Sequence, residues 1–521
     1  MSKKIFRKTI FSGAVILGGA SFISRILGVI RDRIFASTFG AGDSLDAYYA
    51  AFRIPDLIFN LLILGALSSA FVPIFVDYLS RNEKKEAWQI TNSLLNILLL
   101  ILIVISSLLF IFMDRLVFLI APGFSEEKKE FTVFLTRVML ASPIFFGLSN
   151  IASSILCSFK NFTFYALAPI MYNLGIIFGA IFLVPKFDVL GLAIGVVFGS
   201  FLHMAVQLPK IYKLGFRYRL KIDLFHAGVK KIGKLMVPRS LGLALNQINL
   251  LAITVIASTI ASGSVAVFNL ANNLQSFPIG IFGISFAIAS FPYLAEAVSK
   301  NNIISFRTHF SKTFSRILFF VIPLSILILL ERTQIVRLIL GAGKFDWEDT
   351  ILTAQSLGFF SLSIFAQALI PLLARSFYSF SDTKTPVFIS FIAIVVNIIA
   401  GFSFAKHLGV LGLALAFSIS SFLNMILLLV ILRMRAGDLN DAWIFRNCSK
   451  IIFISVITGG VVYGMLHLIA PHVDMHTFVG VFLQATGATF CGILVYFLLG
   501  WFVRCEEAIE LIKTIRSKIK L

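Results

Sequence analysis

The sequence predicts an all-α polytopic membrane protein, and three observations support that fold class. The mean hydropathy is +0.95, and 58% of the 521 residues are hydrophobic. Only 13% are charged, about half the share that is usual in soluble domains. Apolar stretches of about 20 residues, long enough for a helix to cross the hydrocarbon core, recur along the whole length. A soluble multidomain protein does not fit these features.

Fourteen segments have the length and composition of membrane-spanning helices. They lie near 10–36, 46–76, 92–113, 131–156, 162–184, 188–209, 235–260, 265–297, 314–331, 351–375, 386–405, 408–432, 450–470 and 478–502. The basic head and apolar run at the start also resemble a cleaved signal peptide. Because that run is long and Ser24–Arg25 is a poor cleavage site, we interpret it as a retained first helix.

Lysine and arginine are distributed unevenly between the two sides of these spans. If the N-terminus lies in the cytoplasm, the inner segments hold 31 of the 45 basic residues and the outer segments hold 10. Basic residues accumulate in short cytoplasmic loops, so the bias predicts that both termini are cytoplasmic. The same placement accounts for the net charge of +20 without a nucleic-acid partner.

Three pairs of segments repeat at nearly the same offset, 219 to 221 residues. The pairs are 188–200 with 409–421, 157–169 with 378–390, and 65–73 with 284–292. They predict two six-helix lobes in a parallel repeat, at 1–230 and 231–435, followed by two C-terminal helices and a tail at 436–521. Substrate is expected at the interface between such repeats. The alternative is a chance likeness among helices rich in Gly, Leu and Ala.

Charged residues cluster in the first predicted span. Arg25 lies 15 residues in, roughly 22 Å along a helix, so it is inside the bilayer. Asp32 follows seven residues later on the same face, and Arg31 lies near the outer boundary. A charge at this depth is costly unless it faces protein or a wet cavity. The alternatives are an ion pair between Arg25 and Asp32, and extension of Arg31 and Arg33 to the outer surface.

Two further charged residues lie at the start of the second predicted span. Asp46 could cap that helix or pair with an arginine. Arg53 precedes Pro55, where freed carbonyls can be satisfied by polar neighbours. Because the planar guanidinium suits phosphate and carboxylate oxygens, Arg25, Arg31, Asp32, Asp46 and Arg53 together predict a binding surface for an anionic headgroup.

Several motifs resemble the MurJ/MviN family of lipid II flippases, in the MOP exporter superfamily. They are SRILGVIRD (24–32), FGAGDSLDAYYAAFRIPDL (39–57), GALSSAFVP (65–73), SFYSFSDTKTPV (376–387) and LGVLGLALAFSIS (408–420). The resemblance implies a two-lobed transporter of the bacterial inner membrane, not an enzyme. It would move lipid II, the undecaprenyl-pyrophosphate-linked peptidoglycan precursor, to the outer leaflet by alternating access. The functional residues of the family fall on Arg25, Arg31 and Asp46, and Arg53 occupies a position that is basic in relatives.

The sequence departs from the family pattern at two places. Relatives carry one or two arginines where this chain has Phe59 and Asn60. They also carry an arginine at Asn273 and acidic residues at Asn272 and Ser276. The usual headgroup-binding charge of the second lobe is therefore missing from its place, which puts the binding constellation in doubt while leaving the fold unaffected.

Arg239 could compensate for that missing charge. We hypothesise that Arg239, Asn272 and Asn273 form the headgroup surface of the second lobe. The alternative is that Arg239 faces lipid phosphates at an inner loop and that the amides hold helices together. No cofactor or metal is predicted, although Asn246 and Asn397 are sodium candidates. Membrane potential could also act on the charged site, at about 2.3 kcal/mol per charge per 100 mV.

Other functions compete with the flippase. The chain could export another anionic glycolipid or a polysaccharide precursor, or it could be a non-transporting cell-wall scaffold. A membrane enzyme is disfavoured because the longest outer loops, 114–130 and 332–350, carry no acidic metal motif. Four cysteines show no paired spacing. The expected partners are lipid II, membrane lipids and the cell-wall synthesis machinery, with the prenyl tail in a groove near the last two spans.

Overall fold

The computed structural model describes the backbone of residues 3–64, 66–510 and 513. Their side chains are described except at 3–15, 63–64, 66–69, 237–244 and 246. Across this part of the chain the regular structure is helical, and no strand is present. The predicted all-α class is confirmed. Helices suit lipid because each one satisfies its own backbone hydrogen bonds where water is absent.

Contacts divide the chain into two compact units, Met1–Ala266 and Val267–Leu521. The helices of the first unit are α1 (Lys3–Phe39), α2 (Asp43–Ile58), α3 (Ala66–Ser80), α4 (Lys84–Ile111), α5 (Met113–Ile120), α6 (Glu126–Met139), α7 (Ser142–Ser158), α8 (Phe162–Phe178), α9 (Val184–Phe187), α10 (Val189–Ala205), α11 (Leu208–Lys213) and α12 (Ala227–Ser258). In the core of this unit, the ring of Phe75 stacks on Phe71 and also contacts Trp88.

The helices that follow continue into the second unit. They are α13 (Ser264–Pro278), α14 (Ser285–Ser299), α15 (Ile303–Leu330), α16 (Arg332–Ile339), α17 (Trp347–Ser361), α18 (Ile364–Ser379), α19 (Lys384–Leu408), α20 (Val410–Ala436), α21 (Asp441–Ile469) and α22 (Phe478–Phe502). A buried core in this unit includes Phe306, Phe310 and Phe319. The last two helices pack on each other, α21 on α15 and α22 on α16.

The chain is a multi-pass membrane protein. Among the described residues, ten helices are long and apolar enough to cross a membrane. The count is eleven if the bent pair Trp347–Ser361 and Ile364–Ser379 forms one span. Each of the fourteen predicted segments overlaps a helix. The number fourteen itself stays a prediction.

The helices recur at the predicted offset, which confirms the internal repeat. α4 and α15 each have 28 residues and start 219 residues apart. Each is followed by a helix of eight residues, α5 or α16. A π-helical turn interrupts the chain between α2 and α3, at Phe59–Leu64, and again between α13 and α14, at Ile279–Ile284. Both turns follow a proline, Pro55 or Pro278, which removes a backbone donor from the helix.

The compact units do not coincide with the predicted lobes. Helix α12, which opens the second predicted lobe, packs on α2 and α3 inside the first unit. Contacts define the units, whereas similarity between repeats defines the lobes, so the two boundaries need not agree. The lobes 1–230 and 231–435 and the segment 436–521 therefore stay predictions.

Candidate functional site

Arg31 and Asp32 form a buried polar cluster with helix α8. The Nε and Nη2 atoms of Arg31 donate to Oδ1 of Asp32 at 3.0 and 2.8 Å. Nη1 of Arg31 donates to Oδ1 of Asn173 on α8 at 3.4 Å, and Nδ2 of Asn173 donates to the hydroxyl of Ser24 at 3.1 Å. Asp32 therefore pairs with Arg31 and not with Arg25. Because Arg31 turns towards α8, the structure contradicts the alternative in which it extends to the outer surface, and its predicted role in headgroup binding stays a prediction.

Arg25 lies in the middle part of α1. The helix ends 14 residues later at Phe39, about 21 Å further along its axis. The side chain is half-buried, and it forms no hydrogen bond or ion pair with any residue whose side chain is described. A guanidinium at this depth is stable only beside protein polar groups or water. The role of Arg25 in binding an anionic headgroup stays a prediction.

Arg53 is held against α12. Its Nε donates to the hydroxyl of Thr254 on α12 at 2.8 Å, and the residue is only 8% exposed. Asp56 follows on the next turn, where its Oδ1 accepts from Nδ2 of Asn60 at 2.9 Å. Arg53 and Asp56 therefore add a second charged cluster at the contact between α2 and α12.

Asp46 caps a helix other than its own. Its two carboxylate oxygens accept from the backbone N–H groups of Gly263 and Ala266, each at 2.8 Å, at the start of α13. Lys128 adds a third donor at 2.8 Å. Asp46 is only 1% exposed. The predicted cap of α2 is wrong, since Gly42 starts that helix and no side chain caps it. The predicted pairing with an arginine is wrong as well, because the partner is a lysine.

Gly263 is required by the backbone at this junction. Its φ of +84° lies in the left-handed region, which glycine adopts without strain. A Cβ atom there would lie 1.9 Å from the carbonyl oxygen of Ala41. The loop between α1 and α2 therefore contacts the chain before α13, and this contact delivers the Gly263 amide to Asp46.

Lys128 was missed by sequence reasoning. Its ammonium lies 2.5 Å from Oδ1 of Asp43 and 3.9 Å from the ring centre of Phe124. Ser262 donates to the same Asp43 oxygen at 2.7 Å. The hydrogen bonds from Lys128 and Ser262 hold the pKa of the Asp43 carboxyl below its usual range. Lys128 lies in the segment SEEKKEF, which resembles any solvated charged loop, so local pattern gave no signal.

The predicted residues on α13 belong to a chain of amides. Oδ1 of Asn272 accepts from Gln275 at 2.9 Å, and Oε1 of Gln275 accepts from Gln367 on α18 at 2.9 Å. Asn273 accepts from the hydroxyl of Ser276 through its backbone carbonyl. Of these bonds, only the one from Gln367 to Gln275 joins two helices, whereas those of Asn272 and Asn273 lie within α13. A role for them in headgroup binding stays a prediction.

Three predicted residues, Arg239, Asn246 and Asn397, and the two positions that depart from the family pattern remain to be placed. The side chains of Arg239 and Asn246 lie outside the described part of the chain. Asn397 on α19 is 3% exposed. At the positions where relatives carry arginines, Phe59 packs on Phe146 with ring centres 4.7 Å apart, and Asn60 binds Asp56. Structural contacts occupy those two positions.

Comparison with known proteins assigns the chain to a family. The family model described as lipid II flippase MurJ matches residues 35–483. This chain belongs to the MurJ family. The probable lipid II flippase MurJ of Buchnera aphidicola subsp. Schizaphis graminum is 31% identical over 423 residues, which cover 80% of this chain and 82% of the relative. That of Vibrio cholerae serotype O1 is 32% identical over 440 residues, which cover 81% and 82%.

Solved structures agree with this assignment. A lipid II flippase MurJ in an inward closed conformation superimposes with a TM-score of 0.79 at 27% identity, covering 94% of this chain and 99% of that one. An inward-facing multidrug resistance transporter of the MATE family, in the MOP superfamily, gives a TM-score of 0.70 at 18% identity, covering 80% and 96%. The second likeness concerns the fold alone. The resemblance inferred from the motifs is confirmed.

Proposed function

We propose that this chain is a lipid II flippase of the bacterial inner membrane, with both termini in the cytoplasm. It carries the undecaprenyl-pyrophosphate-linked precursor of peptidoglycan from the inner to the outer leaflet and is a transporter, not an enzyme. Membership of the MurJ family supports this substrate. The transport step serves cell-wall biogenesis and cell shape.

The observation that carries the proposal is the position of Arg25. It is a half-buried guanidinium in the middle part of α1 that binds no described side chain. Arg31 lies on α1, as Arg25 does, and Arg53 lies on α2. Unlike Arg25, these two residues donate hydrogen bonds to described side chains, Arg31 to Asn173 and Arg53 to Thr254. A pyrophosphate offers several oxygens to such a fork-shaped donor. In the proposed mechanism Arg25 receives the headgroup, whereas Arg31 is offset by its ion pair with Asp32 and Arg53 by the nearby Asp56.

Alternating access requires contacts that break in one state. The group formed by Asp43, Asp46 and Lys128 is suited to this role. Asp46 satisfies the N–H groups that open α13, while Lys128 joins Asp46 to Asp43. Water can replace each of these hydrogen bonds when the junction opens. We therefore assign this group to a latch that closes the outer end of the first unit.

The prenyl tail has a candidate site in the second unit. A cavity of about 770 Å³ opens there among α15, α17, α18, α20 and α21, and its lining is mainly apolar. Arg433 and Asp441 lie at one end, where their ion pair measures 2.5 Å. A polyprenyl chain is apolar and fits such a lining. This position agrees with the predicted groove near the last two spans for α21, although α22 does not line the cavity.

Flipping by the purified protein in vesicles tests the substrate and the role of Arg25. Fluorescent lipid II is placed in one leaflet, and its appearance in the other is followed by quenching. Loss of a hydrogen bond to a charged group is worth about 1.5–3 kcal/mol, so Arg25→Ala should slow flipping roughly 10- to 100-fold. Arg25→Lys should retain part of the rate. Arg81→Ala, at an exposed i,i+4 pair with Asp77, is the matched control.

Three results of this experiment would contradict the proposal. Arg25→Ala at the wild-type rate would remove Arg25 from the mechanism. Wild-type protein that flips another anionic glycolipid but not lipid II would favour the alternative exporter. Failure to flip any such lipid would favour a scaffold, and depletion in cells should then leave lipid II exposure normal while cell-wall assembly is disturbed.

The tail site is tested by filling the cavity. Val430 is 49% exposed and lines it, so Val430→Trp should slow flipping of lipid II with a long prenyl chain more than flipping of a short-chain analogue. Val456→Trp, at an exposed position on α21 that does not line this cavity, is the control. Equal slowing of both substrates by Val430→Trp would remove the cavity from tail binding.

We also propose that transport draws on the membrane potential or on a monovalent cation. The guanidinium of Arg25, which has no ion pair among the described residues, supplies a charge on which a membrane potential can act. Imposing a potential on the vesicles should change the flipping rate. A rate that responds neither to the potential nor to cation gradients would contradict this. Binding to the cell-wall synthesis machinery is a further expectation.

A further inference from the structure

Glu331 lies deep in the second unit, at the break between α15 and α16. Three contacts show that α16 runs alongside the start of α22. Arg337 donates to the carbonyl of His476, Gln334 to the side chain of Gln484, and Glu331 accepts from Thr489. Thr489 lies 11 residues beyond the first residue of α22, about 16 Å along its axis. That is about half the thickness of a hydrocarbon core of roughly 30 Å.

The Glu331 carboxyl has little to offset a negative charge. The residue is 2% exposed, and its two oxygens lie 3.0 and 2.9 Å from the hydroxyl of Thr489. Among the described residues, no lysine, arginine or histidine comes within 4.0 Å of it. One hydroxyl donates only one hydrogen bond. An ionised carboxylate in this place would be strongly disfavoured.

The charged groups on the surrounding elements have other partners. On α16, Arg332 donates to the carbonyl of Leu329 at 2.6 Å, and its stem lies against Gly358 of α17. Arg337 reaches the carbonyl of His476 at the outer loop. On α21, His467 is exposed and contacts the Tyr463 carbonyl. Helix α22 carries no Asp, Glu, Lys, Arg or His.

The fold does not require an acid at this position. In the first repeat, α4 and α5 correspond to α15 and α16 at an offset of 219 residues. The residue that ends α4, in the place of Glu331, is Phe112, which is 48% exposed. The same break between two helices is thus built with an apolar side chain. The acid in the second repeat needs another explanation.

A small cavity connects to this carboxyl through Thr489. It measures about 210 Å³, and Ser455, Thr458 and Thr489 contribute to its lining. The hydroxyls of Ser455 and Thr458 are buried, and that of Thr458 has no hydrogen-bond partner among the described residues. The rest of the lining is mainly apolar, so a water would be held only beside Ser455, Thr458 and Thr489, whose hydroxyls could bind it. A water at that position would exchange protons with the Thr489 hydroxyl.

We propose that Glu331 is a proton-binding site within the membrane, with Thr489 as its partner and the cavity lined by Ser455 and Thr458 as its route of exchange. The carboxyl is neutral while it is buried, and it ionises only when the surrounding helices open. A metal ion fits less well, because only three oxygens converge here and hard cations take six or more. This site is independent of the substrate proposed above, and it gives pH a direct means of acting on the second unit.

Infrared spectroscopy of the purified protein tests the site without measuring transport. A protonated carboxylic acid has a carbonyl stretch that a carboxylate lacks. Exposed Asp and Glu carboxyls are already ionised at neutral pH, so difference spectra between neutral and alkaline buffers should show this band in the wild type, and Glu331→Gln should remove it. Glu348→Gln, at an exposed acid on the nearby first turn of α17, is the control and should leave it.

Thr489→Val provides a second variant with the same shape and no hydroxyl. Removing the donor disfavours the ionised form further, so the band should persist to higher pH than in the wild type. A structural role alone would not move this titration. Spectra of wild type and Glu331→Gln that agree at every pH would overturn the proposal. So would a sodium-dependent rise in thermal stability that Glu331→Gln abolishes, because that result would indicate a cation site.

Discussion

Asp43 and Asp46 share one lysine, and burial gives the two residues different roles. The side chain of Asp43 is 66% exposed, whereas that of Asp46 is 1% exposed. Water competes for the Asp43 pair and weakens it, as in most surface ion pairs. Asp46 has no such competition, and it supplies the acceptors for two buried backbone N–H groups. The contact of Lys128 with Asp46 therefore contributes more to the stability of the fold than its contact with Asp43.

The first prediction compares these two carboxylates. Asp46→Asn keeps one oxygen acceptor but loses the second and the charge, so a backbone N–H loses its acceptor or Lys128 keeps only its contact with Asp43. We expect a loss of about 1–3 kcal/mol in the free energy of unfolding, measured by thermal unfolding in detergent. Asp43→Asn is the matched control and should cost less than about 1 kcal/mol. Equal losses would mean that burial does not separate the two roles.

The second prediction concerns the turn before α19. Burial alone would raise the pKa of the Asp382 carboxyl, but hydrogen bonds from Thr385 and the contact with Arg435 outweigh it and hold that pKa below its usual range. Its contribution to stability is therefore present above about pH 4 and is lost as the pH falls through the lowered pKa. Asp382→Asn should flatten the acid side of the melting temperature against pH.

Asp474→Asn is the control for this pH dependence. Asp474 is an exposed acid in the loop between α21 and α22, where it accepts from the amide of His476. Its substitution should leave the acid side of the curve close to that of the wild type. If Asp382→Asn follows the wild-type curve instead, the turn before α19 does not contribute to acid stability.

At the scale of elements, glycines set the contact between α8 and α10. A Cβ atom on Gly175 would lie 2.3 Å from the Cα of Gly199, and one on Gly195 would lie 2.9 Å from the Cα of Gly179. Backbone therefore meets backbone along this pair. Close approach of this kind is how helices associate in lipid, where apolar side chains gain little from leaving the bilayer.

The third prediction follows from this contact. Gly175→Ala must separate α8 from α10, because the obstructing atoms belong to the backbone. We expect a cost of about 1–3 kcal/mol, measured as a lower thermal midpoint. Gly464→Ala in α21 meets nothing within 4 Å and should be neutral or slightly stabilising, because alanine favours a helix more than glycine does. Equal effects of the two substitutions would show that the helices do not need this close packing.

Elements were more predictable than the contacts between them. Hydropathy located each of the fourteen helical segments, because every span must be apolar over about 20 residues. The π-helical turns at Phe59–Leu64 and Ile279–Ile284 left no hydropathy signal and were not predicted. Pairing was harder to predict. Lys128 meets Asp46 across 82 residues, and Asn173 meets Arg31 across 142, and no local pattern encodes such distances.

At the scale of the whole molecule, the repeat and the distribution of charge bear on orientation. A parallel repeat places an even number of spans between equivalent helices, so α4 and α15 should cross the membrane in the same direction. The excess of Lys and Arg in the predicted inner segments favours a cytoplasmic N-terminus. Together they require that the loop before α6 faces outward and that the turn before α15 faces inward.

The last prediction tests this orientation by labelling single cysteines. In a background with the four native cysteines replaced, Glu127→Cys should react with a membrane-impermeant maleimide in spheroplasts. Lys300→Cys and Lys513→Cys should react only after lysis, because both lie on the cytoplasmic side. All three positions are exposed in the structure, so accessibility to the reagent depends on the membrane alone. Labelling at 513 but not at 300 in intact spheroplasts would require an odd number of spans between these two positions. That result would contradict both the parallel repeat with its appended helix pair and the distribution of basic residues.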